Sequence, residues 1–131
     1  SYNLIQVMYF VNIINKKPAS AKFIIKVKHS TSRDFIFVKE IVKANIAACE
    51  SDFNGVINVA LGKSMTINRL FEIIRDVLES DIEAKYMDER PGDIKHSLAD
   101  TTNQKSINFN PDNDKFEEQL RETVEWFKTQ L

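Results

Sequence analysis

Three glycines in 131 residues, Gly55, Gly62 and Gly92, set the tightest limit on what this chain can fold into. Ordinary usage is about 7%, and a turn that lets backbone approach a dinucleotide's pyrophosphate needs the pattern G-x-G-x-x-G. These three are too scattered to supply it. A complete dinucleotide-binding fold is therefore excluded, and the phosphate-cradling G-x-x-x-x-G-K-S/T loop and the G-x-S-x-G nucleophile elbow are missing as well.

The length suits one domain over residues 1–131, and 43% hydrophobic with 28% charged residues is ordinary for a globular chain with a real core. A formal net charge of −1 removes the electrostatic case for nucleic-acid binding. The charge is uneven, however. Residues 1–49 hold eight basic and two acidic side chains, which fits either an anion site or plain solvated lysines complementing an acidic remainder. One cysteine, Cys49, allows neither an internal disulfide nor a thiolate zinc cage, and with no Asn-x-Ser/Thr acceptor a reducing, cytoplasmic setting is expected.

Tyr2 to Ile14 is a dense apolar run, too short for a bilayer span of about 20 residues, and reads as a buried helix ended by Pro18. Phe23–Val27 and Phe35–Val38 read as strands. A helix is predicted over about 39–51, with Cys49 packed on its apolar face, and Val56, Ile57 and Val59 read as a short buried strand. Ile67, Leu70, Phe71, Ile74, Val77 and Leu78 follow the helical rule, with Ser64 or Thr66 as cap. Ala84–Met87 is expected to be extended, Arg90 to Asp93 a turn, and 101–107 a short helix capped by Asp100. Finally, Phe116, Leu120, Val124, Phe127 and Leu131 form one stripe of an amphipathic helix. Strands alternating with helices point to an α/β fold of short strands and four to five helices.

Acid–base chemistry finds little footing. A Tyr-x-x-x-Lys pair, in which the cation lowers the phenol's pKa, occurs at none of Tyr2, Tyr9 and Tyr86. His29 and His96 lack neighbouring metal ligands and read as ordinary loop histidines. Arg33 and Arg90 are different: two permanently charged, forked guanidiniums at loop positions can clamp a diphosphate, and the carboxylate of Asp93 can accept from ribose hydroxyls. Taken alone, Arg90 to Asp93 is equally a turn with a local ion pair.

Several ordered motifs supply a context. Arg33-Asp34-Phe35-Ile36-Phe37-Val38, then Gly55-Val56-Ile57-Asn58-Val59-Ala60-Leu61-Gly62, then Arg90-Pro91-Gly92-Asp93 with His96-Ser97-Leu98-Ala99-Asp100, and last the helix from Phe116 to Phe127, resemble the C-terminal part of NAD-dependent nucleotide-sugar epimerases. These are extended short-chain dehydrogenase/reductases similar to UDP-glucose 4-epimerase. The resemblance covers residues 33–131. Residues 1–32 are atypical: Val27, Lys28 and His29 replace the family's Gly-Asp-Gly turn, and Lys39-Glu40 stands where an acidic residue usually caps the next helix.

The resemblance implies a small substrate-binding lobe without a complete Rossmann domain. It implies that Arg33 and Arg90 hold the diphosphate of a UDP-sugar and Asp93 its ribose. The family's NAD fingerprint and catalytic Tyr-x-x-x-Lys belong to a half that this sequence does not show, so the chain is expected to bind no cofactor and catalyse nothing alone. The expected partners are a UDP-sugar and either the Rossmann half or a second copy, with no membrane and no nucleic acid. From a different class comes the alternative of a non-catalytic module that self-associates or binds a protein.

Overall fold

The computed structural model describes residues 22–25, 31–88, 91–92 and 94–130. The apolar run Tyr2–Ile14, Arg90, Asp93 and Leu131 lie outside the described residues. Among the described residues, four strands, β1 (Lys22–Ile25), β2 (Ser32–Asp34), β3 (Ser64–Thr66) and β4 (Glu83–Tyr86), are interspersed with three α-helices, α1 (Val38–Glu50), α2 (Ile67–Val77) and α3 (Phe116–Lys128). A 3-10 helix covers Thr102–Ile107. β1 and β4 pair in parallel, Lys22 opposite Glu83 and Ile25 opposite Tyr86. β2 and β3 pair antiparallel, Ser32 opposite Thr66 and Asp34 opposite Ser64.

The best-patterned helix is also the centre of the core. Ile67, Leu70, Phe71, Ile74 and Val77 recur at helical spacing, and all are buried. Thr66 caps the helix as expected, its hydroxyl accepting from the Arg69 amide at 3.1 Å. Against this face α3 lays Phe116, Leu120, Val124 and Phe127, and Phe35, Leu61 and Ile82 close the cluster. Arg69 ties the two helices at the surface through a bidentate pair with Glu117, at 2.9 and 2.8 Å. A smaller cluster of Ala44, Ile107 and Phe109 holds α1 against the 3-10 helix. Asp100 accepts from the Thr102 amide at 2.9 Å ahead of that helix, and Asn108, at φ +55°, turns the chain out of it.

Three expectations are corrected. Phe35–Val38 is not a strand: the ladder ends at Asp34, Phe35 and Phe37 insert into the core with Ile36 half-buried between them, and Val38 already starts α1. Val56, Ile57 and Val59 form no strand either. A strand needs a partner ladder, none of the described strands pairs with this run, and Val56 is 89% exposed. Cys49 is exposed rather than packed, because α1 buries the side holding Glu40 and Ala44. No side chain caps the start of α1, in keeping with the Lys39-Glu40 substitution, and Glu40 is 2% exposed, bonded instead by Lys43 Nζ at 2.7 Å and Gln119 Nε2 at 3.4 Å.

Candidate diphosphate site

Arg33 sits in the middle of β2, not on a loop ahead of a strand as expected of it. On one side β2 pairs with β3; on the other, Ser32 forms a parallel bridge with His96. The Ser32 amide donates to Lys95 O at 2.9 Å and the Ser97 amide donates to Ser32 O at 3.2 Å. The segment 95–97, which begins two residues after Asp93, is thus hydrogen-bonded directly to the strand carrying Arg33. Residues that are 62 positions apart in sequence meet here, the Arg33 Nη1 donating to Lys95 O at 3.4 Å and to Ser32 O at 2.8 Å.

Among the described residues the guanidinium is held by carbonyls. No carboxylate lies within ion-pair distance of Arg33 among the described residues, and its bonds use Nη1, which leaves Nε and Nη2 for another acceptor. Such an arrangement fixes a planar cation without neutralising it, which suits bidentate recognition of a phosphate oxygen pair. Arg90 and Asp93 lie outside the described residues, but their turn is partly visible: Gly92 has φ +89°, a conformation favouring glycine, as Pro91-Gly92 predicts.

The residue next to Arg33 has a different task. Asp34 turns its carboxylate to the loop before β3, Oδ1 accepting from the Leu61 amide and Oδ2 from the Gly62 amide, both at 3.0 Å. Gln104, 5% exposed, accepts from the neighbouring Ala60 amide at 2.7 Å. Two side chains therefore satisfy three consecutive amides that no strand partner satisfies, and so anchor the Val56–Gly62 run. Neither role was legible in the sequence, where Asp34 is simply part of a motif. Tyr86, the tyrosine nearest the turn, bonds Asn68 Oδ1 through its hydroxyl, and burial, followed by the charge of Glu72, raises its pKa above the ordinary value. That disposition ties β4 to α2 and makes Tyr86 a poor proton donor or acceptor near neutral pH.

A cleft of about 80 Å³ opens between the β3 approach and the start of α3, lined by Phe35, Lys63, Met65, Asn113 and Phe116 among others. Lys63 is already engaged there, with Asn113 O at 3.4 Å and Asp114 at 3.9 Å. Among the described residues no cluster of His, Cys, Asp and Glu could hold a metal ion, and no helix is long and apolar enough to cross a membrane.

The comparisons with known proteins agree with this frame. No family model matches the chain. The solved structure of UDP-N-acetylglucosamine 4-epimerase from Methanobrevibacter ruminantium M1, in complex with UDP-N-acetylmuramic acid, is 67% identical with a TM-score of 0.81, covering 93% of this chain and 38% of that one. UDP-glucose 4-epimerase of Thermotoga maritima with UDP-glucose superposes with a TM-score of 0.81 at 28% identity, covering 95% of this chain and 40% of that one. A candidate UDP-glucose 4-epimerase of Methanocaldococcus jannaschii is 31% identical over 97 residues, 74% of this chain and 31% of the relative.

The chain is thus similar in sequence and structure to UDP-sugar 4-epimerases. It spans about a third of these relatives' length, 31% of each curated one.

Proposed function

We propose that the chain is the nucleotide-sugar-binding, C-terminal part of a UDP-sugar 4-epimerase. Arg33 and Arg90 clamp the diphosphate and Asp93 accepts from the ribose hydroxyls. The observation that carries this reading is Arg33 itself: a half-buried guanidinium held by Ser32 O and Lys95 O, without a carboxylate partner among the described residues, beside the segment that follows the Arg90–Asp93 turn. In the whole protein an NAD and an acid–base tyrosine, both held by the portion of the relatives that this chain does not span, would supply the hydride and proton chemistry on the sugar carbon, while Arg33, Arg90 and Asp93 hold the nucleotide in place. The chain alone is a binding lobe without turnover.

Calorimetric titration with UDP tests the reading. The chain should bind UDP, and Arg33→Ala and Arg90→Ala should each weaken binding about tenfold or more, as loss of a charge-assisted bond of about 1.5–3 kcal/mol implies. UDP binding that ignores both substitutions would refute the assignment.

The second reading, a module that associates through an apolar face, has its own support. Val38, Val42 and Ile46 are 50%, 51% and 53% exposed, and at four-residue spacing they form one outward stripe along α1. Phe53 and Val56 are exposed beyond the end of the helix. We assign this stripe to contact with the cofactor-binding portion of the whole protein, with a homodimer through the same stripe as the competing occupant. The two readings are compatible, because a binding lobe lacking its neighbour exposes the surface on which that neighbour leans.

A further inference from the structure

Ser32 and His96 are joined by more than backbone. Ser32 Oγ lies 2.9 Å from His96 Nδ1, and Ser32 is 6% exposed while His96 faces solvent. The backbone connection at this point is a single parallel bridge of two hydrogen bonds, the smallest unit of sheet pairing. To one side of the bridge is Arg33; two residues upstream of its first bond, at Lys95, is Asp93. A bridge this short, at an exposed edge, is weakly determined by its backbone bonds, and each net hydrogen bond contributes about 0.5–1.5 kcal/mol. The side-chain pair is therefore a sizeable share of what keeps the two chain segments in register.

We propose that His96 is a positioning residue: its bond to Ser32 clips the segment after the Arg90–Asp93 turn to the Arg33 strand and so sets the separation of the diphosphate-binding groups. The inference rests on the nucleotide-sugar reading of that site. His96 touches no ligand in this account. It acts through Ser32, Lys95 and Arg33, since the carbonyl of Lys95 receives both the Ser32 amide and the Arg33 guanidinium. Serine can either donate to or accept from an imidazole nitrogen, so the clip tolerates either histidine tautomer. Losing it leaves both arginines present but loosely spaced, and a clamp whose two halves are not held in register loses affinity without losing charge.

The full chain is titrated with UDP as wild type, Ser32→Ala, His96→Ala, the double variant and His96→Asn, whose amide nitrogen reaches the position of Nδ1. Each alanine variant should weaken UDP binding about threefold to tenfold, the double variant no more than either single one, and His96→Asn should bind like the wild type, all with an unchanged unfolding midpoint. The Ser97 amide, which donates across the bridge, should exchange faster in His96→Ala. Unchanged UDP affinity in His96→Ala, or a loss in His96→Ala that Ser32→Ala does not share, overturns the clip. Failure of the wild type to bind UDP, or indifference to Arg33→Ala, strikes the underlying reading instead. In that case the Ser97 amide alone decides the clip, and an exchange rate unaffected by His96→Ala refutes it.

Discussion

Asp34 and Arg33 are neighbours in β2 with opposite orientations and separate contacts, one holding the scaffold and the other without a carboxylate partner among the described residues. Removing the Asp34 carboxylate strips the Leu61 and Gly62 amides of their acceptor. Asp34→Ala should destabilise the chain by about 2–4 kcal/mol in denaturant unfolding. Gly62 itself is constrained, with φ +74° and the Thr101 hydroxyl 3.2 Å from where a Cβ would stand, so Gly62→Ala should cost about 1–2 kcal/mol. The pair Arg69–Glu117 makes a pH-dependent contribution. The hydrogen bonds from Arg69 lower the Glu117 pKa, so the stabilisation is present above the ordinary glutamate value of about 4.3 and is lost as pH falls through the lower folded value. Both side chains are nearly half exposed, so the effect is small, below about 1 kcal/mol, and the stability gap between wild type and Glu117→Gln should close between pH 6 and pH 3. Arg33 stood out in the sequence because arginine chemistry is local to the residue. Asp34, Ser32 and His96 did not, because each acts on a partner at least 27 positions away.

Among the elements, α2 and α3 were legible for a physical reason: each buries one continuous stripe against the other, so the period of the sequence is the period of the contact. Leu70→Ala should accordingly destabilise by about 2–5 kcal/mol, since Leu70 is fully buried in that contact. In α1 the helix was visible but its buried side was not. Helical spacing of Ile41, Val42, Asn45, Ala48 and Cys49 suggests an inward face, yet the protein interior receives Glu40 and Ala44 while Val38, Val42 and Ile46 face outward, so periodicity alone put Cys49 on the wrong side. Val56 to Val59 reads as a buried strand for a similar reason. Composition records what a segment is suited to pair with, and here side chains of Asp34 and Gln104 hold the end of the run in place of a ladder. Val42→Ser tests the outward assignment: the unfolding free energy of the isolated chain should stay within about 0.5 kcal/mol, whereas a buried valine would show a far larger loss.

At the scale of the whole molecule, the described residues form two two-stranded sheets and present an outward apolar face on α1, which is the surface the proposed function assigns to a neighbouring portion of the protein. Mixing the chain with a separately produced cofactor-binding portion of a close relative should bury the α1 stripe and yield a one-to-one complex that Val42→Ser weakens; a stable homodimer sensitive to the same substitution would favour the competing occupant. The account as a whole depends on the Arg33 strand and the Arg90–Asp93 turn facing one ligand. A crystal structure of the chain with UDP measures that directly. The account predicts guanidinium nitrogens of both Arg33 and Arg90 about 3 Å from pyrophosphate oxygens, with Asp93 on the ribose. A pyrophosphate held elsewhere, with Arg33 still bonded only to the carbonyls of Ser32 and Lys95, would contradict it.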